Sequence, residues 1–320
     1  MVKKKSVKSK SKLSFKKSLK KPKISQRYLL SGLFVLAVAV FCLSGWLYWT
    51  KVLADADRVL NDSIAKNLGI NSVTRHVVQA DSSGGIEQTA HLSFFAPDAL
   101  ARSKTELTQK TSARNEAKVT TETIGTKSTD YVRYVSVDGA DGLAGADNLK
   151  KLIGTWAKRE ADPEKGATTD FLNESLFGIV PFGRLTDDAK KQLIDKINEK
   201  DLYKYSSATR EIKNLRPVYV YRMSIKTEDL VEILSEYARL TGLADPSQFN
   251  PKDYEGSPPI SVDITIDVLS RNLTSVTYNA TNRTEEYSGW NLYKPSDLPN
   301  DAISIEELQK RMENTSGSQG

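Results

Sequence analysis

Cysteine is almost absent from this sequence: Cys42 stands alone among 320 residues. No intramolecular disulfide can form, so a core has to hold the fold, which a chain of this length can provide. Histidine is nearly as scarce, with only His76 and His91. A zinc centre draws on several His or Cys ligands at set spacing, so none is expected. No Gly-x-Ser-x-Gly elbow occurs. Gly125-Thr126-Lys127-Ser128 lacks the upstream glycine and the Lys-Ser/Thr placement of a phosphate-cradling loop. Asp138, Asp141 and Asp147 fall in a Gly-rich stretch, 138–145 and just beyond, but miss the calcium-loop spacing. No internal repeat is visible. These absences point away from catalysis: no catalytic residue, cofactor or metal site is expected.

The few candidates that remain have plain readings. His91 lies on the polar side of a strand beside Ser93 and reads as a solvated histidine. Asp263 and Asp267 share a strand face, but four residues of strand separate them by ~13 Å. Glycosidase carboxylate pairs stand ~5–9.5 Å apart, so these two read as a solvated face. Asn-x-Ser/Thr sequons at Asn61, Asn173, Asn272, Asn279, Asn282 and Asn314 matter only in a source that glycosylates.

Charge is distributed unevenly. The formal net charge is +6, yet residues 1–27 carry 12 Lys/Arg and no acid, leaving 34 basic against 40 acidic residues in the rest. Nucleic-acid binding calls for a basic folded face, whereas this excess sits in a Lys/Ser-rich arm. No nucleic-acid partner is expected, and the arm reads as a topology signal. Directly after it, Tyr28 to Thr50 has no charged residue. As a helix that run would measure ~34 Å, enough for a ~30 Å hydrocarbon core. A transmembrane helix over 28–50 is therefore expected, with Tyr28 at one interface and Trp46, Tyr48 and Trp49 at the other. The following flank, 51–67, holds only Lys51, Arg58 and Lys66. The asymmetry predicts a single-pass cell-membrane protein with a cytoplasmic N-terminus and an extracytoplasmic domain. Ala54-Asp55-Ala56 fits a signal-peptidase pattern, but the apolar run exceeds a signal peptide's 7–15 residues. Phe41 before Cys42 does not fit a lipidation site. The expected layout is a basic cytoplasmic tail at 1–27, the helix at 28–50, an extracytoplasmic domain at 51–313 and a disordered tail at 314–320.

Within that domain, Leu53, Ala56, Leu60, Ile64 and Leu68 recur at helical spacing, with Gly69 placed to stop the helix. Val73–Ala80 and a run through Ala90, Leu92, Phe94 and Ala96 alternate as strands around a turn at Ser82–Gly85. Residues 103–137, rich in Thr, Val and Tyr, predict two to four more strands ending at Tyr131–Val137. Apolar stripes predict helices over 149–157, 189–197 and 230–240, the second capped by Thr186 or Asp187 and the last closed by Gly242. Pro217–Ile225 returns to strand, and Asp245–Pro259 reads as a loop. Ile260–Val268 alternates strictly between apolar and polar residues and pairs with Leu273–Asn279 as a hairpin. Ser304-Ile305-Glu306-Glu307 is a capping box for a short terminal helix.

The fold class expected is α+β: a curved antiparallel sheet, a half-barrel, covered by helices behind an N-terminal transmembrane helix. The order of elements over roughly 51–300 resembles the lipoprotein-carrier (LolA-like) family and related cell-surface lipoproteins. The resemblance is carried by Ile260–Asp267 with its turn and second strand, by Glu286-Tyr287-Ser288-Gly289-Trp290-Asn291, and by Leu298-Pro299. It implies a sheet whose concave face, covered by helices, holds an acyl chain or other hydrophobe. The sequence departs from the family in having no lipobox, and a tethered domain could not shuttle between membranes.

The expectation is a non-enzymatic, membrane-anchored binding protein for a lipid or other hydrophobic ligand. Its cavity would be lined by Tyr219, Tyr221, Met223 and Ile225, which alternate along one strand. The competing expectation is a cell-envelope interaction or assembly factor, without a ligand cavity, that binds other envelope proteins.

Overall fold

The computed structural model describes residues 26–49, 54–94, 100–110, 116–139, 146–161, 170–293 and 297–316. The chain divides into two units, residues 1–52 and 53–320. In the first, Gln26–Tyr48 forms a 23-residue helix, α1. Among the described residues, no helix is long and apolar enough to cross a membrane, which corrects the expected transmembrane helix at 28–50. Trp46, Tyr48 and Cys42 are exposed on α1 and Trp49 just follows it. The side chain of Tyr28 and the basic arm up to residue 25 lie outside the described residues.

The second unit opens with α2 (Ala56–Asn67), started by the Asp55 carboxylate accepting the Arg58 backbone N–H at 3.0 Å. Five strands follow: β1 (Ser72–Ala80), β2 (Gly84–Ser93), β3 (Leu100–Lys110), β4 (Glu116–Gly125) and β5 (Thr129–Asp138). A short helix α3 (Ala146–Lys151), strand β6 (Ala157–Glu160) and helices α4 (Asp170–Leu176) and α5 (Asp187–Glu199) come next. Then come β7 (Tyr205–Lys213), β8 (Arg216–Ile225) and α6 (Thr227–Thr241), the last ended by Gly242 in the left-handed region at φ 63°. Two single 3-10 turns precede β9 (Ile260–Asp267), β10 (Leu273–Tyr278) and β11 (Arg283–Ser288). Strand β12 (Ile303–Ser304) and helix α7 (Ile305–Ser316) close the chain, with the Ser304 hydroxyl accepting the Glu307 backbone N–H at 3.2 Å.

All twelve strands form one sheet in the order β12-β6-β5-β4-β3-β2-β1-β11-β10-β9-β8-β7. Its neighbours are antiparallel except β12, which joins β6 in parallel. The architecture is thus a large mixed sheet with helices, a correction to the expected antiparallel half-barrel. Two local features explain the difference. The expected helix over 149–157 ends at Lys151, which frees Ala157–Glu160 to extend the sheet and accept β12. At the other edge β7 is almost wholly exposed, so it carries no apolar alternation that a pattern reading would detect.

The register places alternate residues on two dissimilar faces. The inner face carries the helices and the core. There Leu60 and Ile64 of α2, Leu172 and Leu176 of α4, Leu193 and Ile197 of α5, and Ile233 and Tyr237 of α6 join Tyr221, Met223, Ile264 and Leu92 of the sheet in one buried cluster. Smaller clusters seat α3 through Leu149 near Val119 and Val137, and α7 through Leu308 near Ala157 and Leu152. Gly125 lies at the edge of the main cluster, and a Cβ there would come within 2.8 Å of the Phe171 ring on α4. That glycine therefore serves close helix–sheet packing, within a β4–β5 turn closed by the Thr126 N–H on the Thr129 carbonyl.

The β7–β8 hairpin turns through Asn214 and Leu215, both left-handed at φ 51° and 63°. Asparagine tolerates this geometry, whereas leucine does not. Leu215 is also 96 % exposed, so it has no packing to lose. Leu215→Gly is expected to stabilise the protein by ~0.5–1 kcal/mol. The check is a higher urea midpoint at an unchanged denaturant slope; a lower midpoint would show that Leu215 has a partner.

Candidate ligand-binding site

Tyr219, Tyr221, Met223 and Ile225 do come together on the inner face of β8, where Tyr221, Met223 and Ile225 are fully enclosed. The Tyr219 hydroxyl donates to the Ala54 carbonyl at 2.8 Å and Tyr221 to the Ala56 carbonyl at 2.7 Å, tying the strand to the start of α2. Their apolar surface is engaged with the helices, and burial raises the Tyr221 hydroxyl pKa.

The inner face is less fully covered toward the middle of the sheet. Cross-strand register there aligns Arg283 (β11), Gln79 (β1), Ile86 (β2), Leu107 (β3), Val119 (β4) and Val137 (β5) in one row. Side chains so aligned are near neighbours, since strands lie ~4.8 Å apart. Ile86 is 41 % and Leu107 45 % exposed, although both share the face that buries the core. The adjacent row runs Glu285, Val77, Gln88, Thr105 and Thr121, with the Gln88 amide donating to the Thr105 hydroxyl at 3.1 Å. A third row holds Tyr287, Arg75, Ala90 and Ser103. Helix α3 thus meets this apolar strip at Val119 and Val137, while Ile86 and Leu107 form its more open part.

At the β11 end of the strip lies a cluster of buried charge. Glu285, only 2 % exposed, accepts Arg283 Nε at 3.0 Å and Nη2 at 2.7 Å, and the Tyr287 hydroxyl. Burial alone would raise its carboxyl pKa, but Arg75, the Tyr287 hydroxyl and Arg283 outweigh that effect and hold it below the ordinary value. The Arg283 guanidinium stacks 5.4 Å over the Tyr278 ring. Burial and the Glu285 charge raise the Tyr278 hydroxyl pKa. Arg75 is 5 % exposed, and its Nε has no hydrogen-bond partner.

The outer face is polar. The Glu122 carboxylate accepts Arg102 Nε and Arg133 Nε, each at 2.8 Å, and Arg133 lies 4.6 Å over the Trp156 ring. His76 meets Glu87 at 3.0 Å. His91 differs from the solvated histidine expected: it stacks on Tyr293 at 4.9 Å and meets the Thr74 hydroxyl at 2.9 Å. Burial, then the Arg102 charge, lowers its pKa, so the ring is neutral at neutral pH. Asp263 pairs with Arg222 at 3.2 Å and stays partly exposed, but Asp267 is buried. The Asp267 carboxylate takes Arg216 at 2.6 Å and the backbone N–H groups of Leu269 and Ser270, and so holds the β9–β10 turn. Of the three loop aspartates, Asp141 and the side chain of Asp147 lie outside the described residues.

Compared with known proteins, the sequence matches no family model and no curated protein.

Proposed function

We propose that this protein is a non-enzymatic binding domain that holds a lipid or another hydrophobic ligand against the inner face of its sheet. The observation that carries this reading is the strip Ile86–Leu107–Val119, where apolar side chains on the core-bearing face are left partly open to solvent. A hydrophobe laid along the strip would bury that surface, at ~25 cal/mol per Å² removed from water. The polar Gln88–Thr105 pair beside it would border the site and help to orient the ligand.

A fluorescent fatty-acid probe is expected to bind the purified full chain saturably. Leu107→Asp, which puts a charge on the strip at an already half-exposed position, should weaken binding at least tenfold with an unchanged circular dichroism spectrum. Equal binding by the variant would mean that the probe sits elsewhere, and no binding by the parent protein would refute the reading.

The β7–β8 hairpin favours a second reading, an envelope interaction or assembly factor. Ile212 at the end of the outermost strand and Leu215 in the turn that follows are 78 % and 96 % exposed, an apolar pair at the hairpin's tip. Edge strands and apolar tips of this kind are surfaces on which another protein can dock. Abolition of partner capture by Ile212→Ser/Leu215→Asn, with fatty-acid binding unaffected, would separate this role from the first.

A further inference from the structure

The inner-face strip begins at a site with more positive than negative charge. Among the described residues, Arg75 and Arg283 face a single carboxylate, Glu285. Arg283 is committed to that carboxylate by two hydrogen bonds. Arg75 is not. Its charge acts on Glu285, Tyr287 and Tyr278, which places the guanidinium toward the head of the strip. Yet it is 95 % buried and its Nε donates to nothing. Tyr287 stands beside it on β11, but on the β2 side its cross-strand neighbours are small, Ala90 and then Ser103, and the buried Ser103 hydroxyl also lacks a partner. A buried guanidinium whose Nε has no acceptor carries a desolvation cost that a sheet built for packing alone would avoid, since an aliphatic residue would serve at that position.

We propose that Arg75 receives the anionic head group of an amphiphile whose hydrocarbon chain lies along Ile86, Leu107 and Val119. The inference rests on the hydrophobic-ligand reading above and adds the charge of the ligand. Arg283 stands in register with the strip through Gln79 and Ile86, so it flanks the same head group while remaining paired to Glu285. A carboxylate and a phosphate monoester share the needed chemistry: each offers anionic oxygens to the planar fork of an arginine. A free fatty acid and a lysophosphatidic acid are the two sources of that chemistry.

The test uses the purified full chain and three probes of equal chain length: a fatty acid, the lysophosphatidic acid and the matching fatty alcohol. At neutral pH the acid, the phosphate or both should bind at least tenfold more tightly than the alcohol, and whichever anion binds more tightly identifies the source. Arg75→Gln should abolish that preference while leaving alcohol binding within about twofold, and Arg75→Lys should restore part of it. Equal affinity for anions and alcohol in the parent protein would overturn the head-group assignment but leave the hydrophobic strip standing. Failure of all three to bind would overturn both, and would mean that water satisfies Arg75. The parent-protein comparison needs no variant, so a folding defect in Arg75→Gln does not block the test. If Arg75→Gln folds and keeps the full preference, the anion binds elsewhere.

Discussion

Replacing Glu285 with leucine is expected to destabilise the protein by ~3–5 kcal/mol, the usual consequence of leaving a buried charge without its partner. Glu285 is the one carboxylate among the described residues set against both Arg75 and Arg283, and it is 2 % exposed in the middle of the sheet. Its loss leaves the Arg75 and Arg283 guanidinium groups without their carboxylate and removes the acceptor for the Tyr287 hydroxyl. Glu285→Gln keeps the shape but not the charge and should cost less. The same pair of proteins reports on pH. The folded-state pKa of Glu285 lies below its unfolded value, so the stabilisation is fully present above the ordinary carboxylate range and is lost as pH falls through the folded pKa. Stability of the parent should therefore decline in acid more steeply than that of Glu285→Gln. Urea melts at neutral and acid pH measure both effects, and a Glu285→Leu midpoint equal to the parent's would refute the charge balance described.

Tyr237→Ala is expected to cost a similar amount, ~3–5 kcal/mol, through the cavity it opens. Tyr237 is fully buried on α6, meets Phe177 edge-on with ring centres 5.7 Å apart and donates its hydroxyl to the Phe182 carbonyl. It thereby joins α6 to the segment between α4 and α5, where Gly183 gives the hydroxyl room at 3.3 Å. Tyr237→Phe removes only the hydroxyl and leaves a buried carbonyl unmatched, a loss of ~1–3 kcal/mol. Thermal or urea unfolding should rank parent, Phe and Ala in that order. A Phe variant as unstable as Ala would assign the whole effect to the hydrogen bond.

Much of the secondary structure was legible because these elements are amphipathic. Leu60 and Ile64 mark α2, Leu193 and Ile197 mark α5, and Ile260–Asp267 alternates as a half-buried strand should. Elements without a buried stripe were not legible: β7 is polar and exposed, and β12 is two residues long. Sheet order was also hidden, because nothing local in β1 or β11 says that they pair across two hundred residues. The helix expected at 28–50 rested on an uncharged run with aromatic ends and a basic flank, but no helix among the described residues is long and apolar enough to cross a membrane. The alternation of Tyr219, Tyr221, Met223 and Ile225 marks one face of a strand, but periodicity does not distinguish a face that packs from a face that stays open. The strip at Ile86 and Leu107 is not legible from pattern because Gln88, Thr105 and Gln109 break its apolar alternation. Arg75 does carry a signal in the sequence: it interrupts Val73 and Val77 on an otherwise apolar face.

The seam between β1 and β11 has a kinetic consequence. Strands β2 through β5 and the β9–β10 hairpin can each form from sequence neighbours, but residues 72–80 must wait for 283–288 before the sheet is continuous. On the ribosome, the first strand therefore stays with one edge unpaired until nearly the whole chain has been made. Closing so long a loop is entropically costly and places the protein among slow, topology-limited folders. During that interval Arg75 and its neighbours lack Glu285 and Tyr287, the partners that β11 supplies, so the polar heart of the sheet is assembled last.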